Sequence, residues 1–382
     1  MIAAPAPPRR GPALPLVGLL LAAVLGCAVT RPVAHQRALA AGDRAFSAGR
    51  FSEAAEAYAR AATATERPRD QGQARFLAAM AWRRAGEHGR ALALLDDLAR
   101  TSPTWERGPR AAFEAARMRW ASDDPDTRRR GRAALEALLD DPRTGAARRS
   151  LILLLRDLDA TDPTGARSLA WLDDLARRPV LRSSLLYETI RAAQAQRLER
   201  AGRIDEALAT WRSMLHEVGY PQNSHWDDGH MAIARMLRAR RDFRGALAAL
   251  DAMLAVREPV YSSGSYNAPL FDDGAMLRAE ILRDDLGDLA AAAEAFHAVY
   301  TDFRQSIRRD DALHAEALLR VQLRDPRACA VWERLGREFP CHRWGRRGRE
   351  EARRCGRDLG PVAPETCRSS GRRATRLSPA PE

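Results

Sequence analysis

The chain contains no lysine; all 62 of its positively charged residues are arginines. That absence excludes several chemistries at once. The Walker A phosphate loop, the Schiff-base lysine of pyridoxal phosphate enzymes and the kinase lysine each need an ammonium that is not there. Asparagine occurs twice, as Asn223 and Asn267. Arginine and alanine are abundant throughout, so the arginine total reads as a codon bias and says little by itself about partners. His-Glu-x-x-His, Cys-x-x-Cys-His, Gly-x-Ser-x-Gly and a strand-following Gly-x-Gly-x-x-Gly are also missing. Together these gaps point away from catalysis and from any cofactor.

What is present is a chain of 382 residues, 46% hydrophobic and 29% charged, with net charge +12. It is too long for one hydrophobic core and too apolar to be disordered throughout, so several cores or a repeat array must carry it. The charge is unevenly placed. Residues 1–26 carry +2 and residues 341–382 carry +6, leaving +4 for the three hundred residues between. A nucleic-acid-binding domain concentrates positive charge on an ordered face with interleaved aromatics. This body is nearly neutral, and nucleic acid is not an expected partner.

Arg9 and Arg10 precede an apolar run from Gly11 to Leu25, followed by Gly26 and Cys27. A short positive region and an apolar stretch of about 15 residues fit a secretory signal and fall short of the roughly 20 needed to span a membrane. Val24-Leu25-Gly26-Cys27 resembles the lipobox of bacterial lipoproteins, although Leu25 is bulkier than the usual occupant of its position. The resemblance implies a signal peptide over 1–26, lipidation (diacylglyceryl and palmitate) at Cys27 and a short linker over 27–34. Ala28, where an aspartate would retain the protein at the inner membrane in the enterobacterial sorting rule, favours the outer membrane. The expected location is therefore the cell envelope, lipid-anchored and facing the periplasm, with surface exposure left open. Two or three acyl chains would anchor the protein firmly, whereas one binds only reversibly.

The body repeats. Gly42, Ala45, Gly49, Phe51, Ala54, Tyr58 and Ala61 set a series of steps that recurs at Ala79, Trp82, Gly86, His88, Ala91, Leu95 and Leu98. It recurs again from Ala195 to Met214, from Ala234 to Met253, and from Ala279 to Val299 with one extra residue at the turn. A shortened copy ends at Trp332, Leu335 and Pro340. Each describes two amphipathic helices, A and B, joined by a tight turn, with small residues where the helices approach. This resembles the tetratricopeptide repeat, a helix–turn–helix unit of about 34 residues. The implied fold is an all-α, right-handed solenoid. Units start near 35, 72, 109, 148, 188, 227, 272 and 309. They group as residues 35–187, degenerate from 109, and residues 188–340, followed by a capping helix over 341–355 and a basic tail over 356–382.

Trp226-Asp-Asp-Gly-His-Met231 and Phe271-Asp-Asp-Gly-Ala-Met276 recur 45 residues apart, and Arg309-Asp-Asp-Ala-Leu313 follows. Paired aspartates here are expected to cap helix A. The pattern resembles envelope tetratricopeptide lipoproteins of the outer-membrane β-barrel assembly and Tol-Pal-associated groups. The resemblance implies a non-catalytic scaffold whose partners are envelope proteins or peptide segments, with an accessory role in β-barrel, pilus or cell-wall polymer assembly or export as the alternative. The groove residues it places on helix A are Met231, Arg235 and Arg238, then Met276, Glu280 and Arg283. A Met-plus-charge groove suits helical or extended peptides.

His216, His225, Asp227, Asp228 and His230 crowd one region but match no metal-binding spacing. No metal is expected. Cys329, Cys341, Cys355 and Cys367 make an even four within 39 residues, as one or two disulfides would in an exported protein. Three pairings are open, and two bridges would staple the terminal helix onto the last repeat. The segment from Glu258 to Pro269 reads as a linker. The tail after residue 356 is Arg-, Pro- and Ser-rich, and contact with an anionic polymer is one reading of it.

Overall fold

The computed structural model describes residues 31–101, 107–162, 165–256, 270–363 and residue 367. Alanine, leucine and arginine, all good helix formers, dominate these stretches. Among the described residues there are eighteen helices and no strand.

The helices come as consecutive A–B pairs. They are α1 (Val33–Ser47) with α2 (Phe51–Thr63), α3 (Pro68–Arg84) with α4 (His88–Thr101), α5 (Arg107–Trp120) with α6 (Pro125–Ala137), and α7 (Gly145–Thr161) with α8 (Ala166–Arg177). After a single turn, α9 (Pro179–Arg182), come α10 (Tyr187–Arg200) with α11 (Ile204–Glu217) and α12 (Trp226–Ala239) with α13 (Phe243–Ala255). The last pairs are α14 (Phe271–Glu280) with α15 (Leu289–Asp302) and α16 (Arg309–Gln322) with α17 (Ala328–Glu338), closed by α18 (Arg343–Arg354). This is the all-α helix-pair solenoid. The two motif-poor pairs starting at α5 and α7 are helical too. The α7–α8 pair buries Leu151, Leu154, Leu172 and Leu175, while α5 buries Ala111, Phe113, Ala115 and Ala116.

The chain divides into two compact units, Met1–Leu154 and Leu155–Glu382. In the first unit Gly42 faces the ring of Tyr58, where a Cβ would stand 2.5 Å from ring carbons, so the small residue sets how closely α1 and α2 pack. Ala45, Ala54, Ala55 and Tyr58 join Ala78 and Ala81 of α3 in one cluster. The second unit's main core runs from Leu198 through Trp211, Met214, Ile233, Leu250 and Met253 to Phe271 and Ile281. A second cluster packs around Phe296, and a third around Leu313 and Trp332.

Most A–B turns place one residue in the left-handed region. Gly49, Gly86, Gly202 and Gly287 fill that place at φ 67–83°, and so do Arg241 (φ 63°) and Arg324 (φ 55°) in two pairs of the second unit. The extra residue of the fifth copy is absorbed as a π-turn over Ile281–Asp285 at the end of α14.

The terminal helix α18 meets α17 through glycines. A Cβ at Gly348 would stand 2.8 Å from Gly336 N and 2.9 Å from Trp332 O. Of the three open pairings, the structure takes Cys329–Cys355 and Cys341–Cys367, with Cα–Cα distances of 5.9 and 5.3 Å. The first ties α17 to the end of α18. Among the described residues no helix is long and apolar enough to cross a membrane. The apolar run, Cys27 and residues 27–30 of the expected 27–34 linker lie outside the described residues, as do 257–269 and, apart from residue 367, everything after 363.

Candidate interaction surface

The aspartate pairs lie inside the first turn and not at the N-cap, where His225, Leu270 and Arg308 make no side-chain cap hydrogen bond. Asp227 is the second residue of α12, and its Oδ1 accepts the N–H of Asp228 (3.0 Å), one of the donors a helix start leaves free. Its Oδ2 accepts the N–H of Leu270 (2.9 Å), the residue before α14 in the next pair. Asp272 repeats the arrangement 45 residues on. Oδ1 takes the N–H of Asp273 (3.0 Å), and Oδ2 takes the hydroxyl of Ser306 (2.5 Å), three residues before α16. Asp310 lies 3.0 Å from His342 Nδ1, immediately before α18. Glu188, second in α10, accepts both the N–H (3.0 Å) and hydroxyl (2.6 Å) of Ser224, just ahead of α12. Four acids thus bind the start of the following A helix, so successive A helices begin along one edge of the second unit. The glycine of Asp-Asp-Gly has the complementary task. At Gly229 a Cβ would meet Trp211 and Leu215 of the preceding B helix at 3.1 Å.

The A-helix residues expected to line a groove separate by chemistry. Met231 and Met276 are buried, at 4% and 8% exposure. Met231 packs its sulfur toward Gly274, and both methionines belong to the cores. The methionine half of the expected groove is therefore core packing: flexible thioethers fill the irregular gap between one A helix and the next. The charged half stays at the surface and is brought together. Arg238 Nε donates to Asp285 (2.6 Å), with Glu280 and Asp284 at 3.8 and 3.9 Å. Arg283 donates to both oxygens of Asp284 (2.6 and 2.9 Å). That guanidinium holds the Asp284 carboxyl below its ordinary range. Arg235, one turn before Arg238, is exposed and makes no ion pair among the described residues. Asp284 and Asp285 were not among the expected residues. They lie in the π-turn, whose extra residue is the one signal that could have drawn attention to them.

Each unit contains a buried charge surrounded by ion pairs. Arg320 on α16 is 2% exposed and donates to Glu316 (2.6 Å), Asp325 (2.8 Å) and Glu294 (3.2 Å). Burial opposes its charge, and the hydrogen bonds it donates to Glu316 and Asp325 more than restore it. Glu114 in the first unit is the mirror image. It is 2% exposed and accepts from Arg83 (2.8 Å), Arg110 (2.9 Å) and Arg117 (2.8 Å).

The histidine–aspartate crowd is dispersed. Asp227 is engaged with Leu270, and His225 Nδ1 lies 3.0 Å from Asp228. His216 is exposed on α11. His230 is buried against Trp226, ring centroids 4.5 Å apart, with no hydrogen-bond partner on either nitrogen. Burial pushes His230 down to about 4. Among the described residues no cluster of three or more His, Cys, Asp or Glu side chains is placed to hold a metal ion.

No family model matches the sequence, and no curated protein matches it. Solved structures similar to it include the TPR2AB-domain:pHSP90 complex of yeast Sti1, at 15% identity over 75% of this chain and 96% of that one, TM-score 0.27. Yeast Tom70 aligns at 10% identity over 92% of this chain and 67% of that one, TM-score 0.35. The P58(IPK) TPR domain aligns at 14% identity over 83% and 87%, TM-score 0.24. The class of the protein, an α-solenoid of helix pairs, rests on its own helix order and packing.

Proposed function

We propose that this protein is a non-catalytic scaffold that binds protein partners through the A-helix surface of residues 188–340 and is held at the outer membrane by a lipidated Cys27. The observation that carries the reading is the charged surface around Arg238. Arg235, Arg238, Glu280, Arg283, Asp284 and Asp285 present both signs of charge on α12 and on α14 with the π-turn that ends it, and the acid links between pairs fix those helices in register. Rigid presentation of mixed charge selects a complementary protein segment by register and orientation more than by raw affinity. The lipobox resemblance and the two disulfides support an exported, oxidising location for the chain.

The test is a photo-crosslinker at Arg235, with an equivalent placed at exposed Arg244 on helix B, in cells that express the full chain. The expected result is an envelope protein crosslinked from position 235, absent from position 244, and lost with Arg238→Glu. Equal capture from both positions sinks the surface assignment. The anchor is read separately, as palmitate incorporated into the wild type and absent from Cys27→Ser; palmitate in both chains removes that part of the reading.

A further inference from the structure

The terminal helix α18 holds six arginines and two glutamates in twelve residues. Their engagement is uneven. Arg354 takes both acids of the helix, Glu350 at 2.8 Å and Glu351 at 2.9 Å. Arg349 is half-buried and donates to the carbonyls of Gly336 (3.5 Å), Leu359 (3.4 Å) and Gly360. Its charge is therefore held in place by neutral oxygens. Arg346 and Arg353 make no ion pair among the described residues. These three guanidinium groups are spaced i, i+3, i+7 and share one helix face.

That face lines an open pocket of about 700 Å³. Pro340, Cys341, Val362, Ala363 and Cys367 complete its wall, and Glu350 stands on the rim with its carboxylate committed to Arg354. The Cys341–Cys367 bridge covalently joins two residues that line this pocket.

We propose that this pocket is a binding site for a phosphate-bearing anion. Three guanidiniums with one neutralised acid favour a group that carries more than one negative charge and several acceptor oxygens. Phosphate meets guanidinium forks through paired, charge-assisted hydrogen bonds. The volume exceeds that of a lone phosphate and leaves room for an esterified group. The ligand is either a soluble phosphate ester or a phospholipid headgroup. The site is independent of the A-helix surface and stands or falls without it.

The test uses the full oxidised chain carrying Cys27→Ser, with inorganic pyrophosphate titrated calorimetrically. The expected result is saturable binding that weakens at least tenfold in Arg346→Gln/Arg353→Gln and in Cys341→Ser/Cys367→Ser, and is unchanged in Arg372→Gln/Arg373→Gln of the tail. Hydrogen exchange of α18 confirms that the first pair of variants keeps its fold. Phosphatidylglycerol vesicles form the second arm. Vesicle binding competed by pyrophosphate identifies the headgroup as the source, and pyrophosphate binding without vesicle binding identifies a soluble ester. The proposal is overturned by no saturable binding at about 1 mM pyrophosphate, by equal competition from citrate, or by loss of binding in the tail variant alone.

Discussion

The two compact units solve the same packing problem with opposite charges. In the first unit, Glu114 is an inaccessible carboxylate ringed by three arginines whose side chains are 21%, 31% and 41% exposed. In the second, Arg320 is an inaccessible guanidinium, and one of its partners, Glu316, is itself only 1% exposed. The difference lies in what remains when the centre is removed. The arginines around Glu114 can turn to water. Glu316 cannot, since its other contact is His297 Nδ1 at 3.0 Å. An ion pair buried on both sides is a fragile arrangement, whereas one buried on a single side tolerates loss of its centre.

The largest expected effect follows directly. Arg320→Met strands Glu316 in the core and should cost about 3–5 kcal/mol, the usual consequence of leaving one partner of a buried pair uncompensated. Hydrogen exchange across α15–α17 reads the loss locally. Arg320→Met combined with Glu316→Leu should recover most of it, because two apolar residues replace the pair. A double variant as unstable as the single one would show that packing, and not charge, holds this site.

Acid should separate the units next. His230 and His314 are buried in the second unit, and burial lowers both from 6.5 to about 4. His314 is stacked on Trp344, ring centroids 3.6 Å apart, and its Nε2 has no partner. Between those two values the unfolded chain binds protons that the folded chain refuses. The contribution is complete above about pH 6.5 and is lost progressively as the pH falls toward 4. Protection in the second unit should decline through that window, and His230→Phe with His314→Phe should flatten the decline. His35, buried in the first unit, instead has Nδ1 2.8 Å from the carbonyl of Ala61. A decline equally steep in the double variant would assign the slope to other groups.

Glu114→Gln is the milder counterpart of Arg320→Met. Its three arginines lose a charged acceptor but reach solvent, so about 1–2 kcal/mol is expected, measured by hydrogen exchange in α3 and α5. A cost equal to that of Arg320→Met would erase the distinction between the two hubs.

The helix pairs were readable because each repeat position has one physical job. Ala54, Tyr58, Ala91 and Leu95 sit where the spacing puts them and are buried there. Met231 and Met276 occupy groove positions by the same count, yet lie in the core, because the pattern specifies an angle around the helix and not how far the next pair leans over it. The partner of Asp227 was not legible, since Leu270 lies 43 residues away across a linker whose length differs from unit to unit. The local sequence suggested capping of the aspartates' own helix, but the link to the next pair depends on tertiary geometry. Glu188 carries the same link without any aspartate pair, and Asp284 and Asp285 face Arg238 only because a single extra residue becomes a π-turn. The sign of each buried hub was equally hidden: in a chain so rich in arginine, nothing local marks Glu114 or Arg320 as buried.

The smallest effect concerns the turns, where the units differ again. Gly49 and Gly86 fill the left-handed position in the first unit, while Arg241 and Arg324 fill it twice in the second. An L-residue there costs roughly 1–2 kcal/mol through the contact of its Cβ with the following carbonyl oxygen. Glycine removes that cost but gives back about 0.5–1 kcal/mol through its greater freedom in the unfolded chain. Arg241 is exposed and makes no ion pair among the described residues, so no contact offsets the exchange. Arg241→Gly should therefore stabilise the second unit by about 0.5 kcal/mol. The reciprocal Gly86→Arg should destabilise the first by a similar amount, because nothing lies within 4 Å of the position a Cβ would take and only the backbone term acts. Denaturant midpoints for both variants decide the matter. If Arg241→Gly lowers stability, the guanidinium has a partner at the surface, and the left-handed arginine is there for that partner rather than as a tolerated strain.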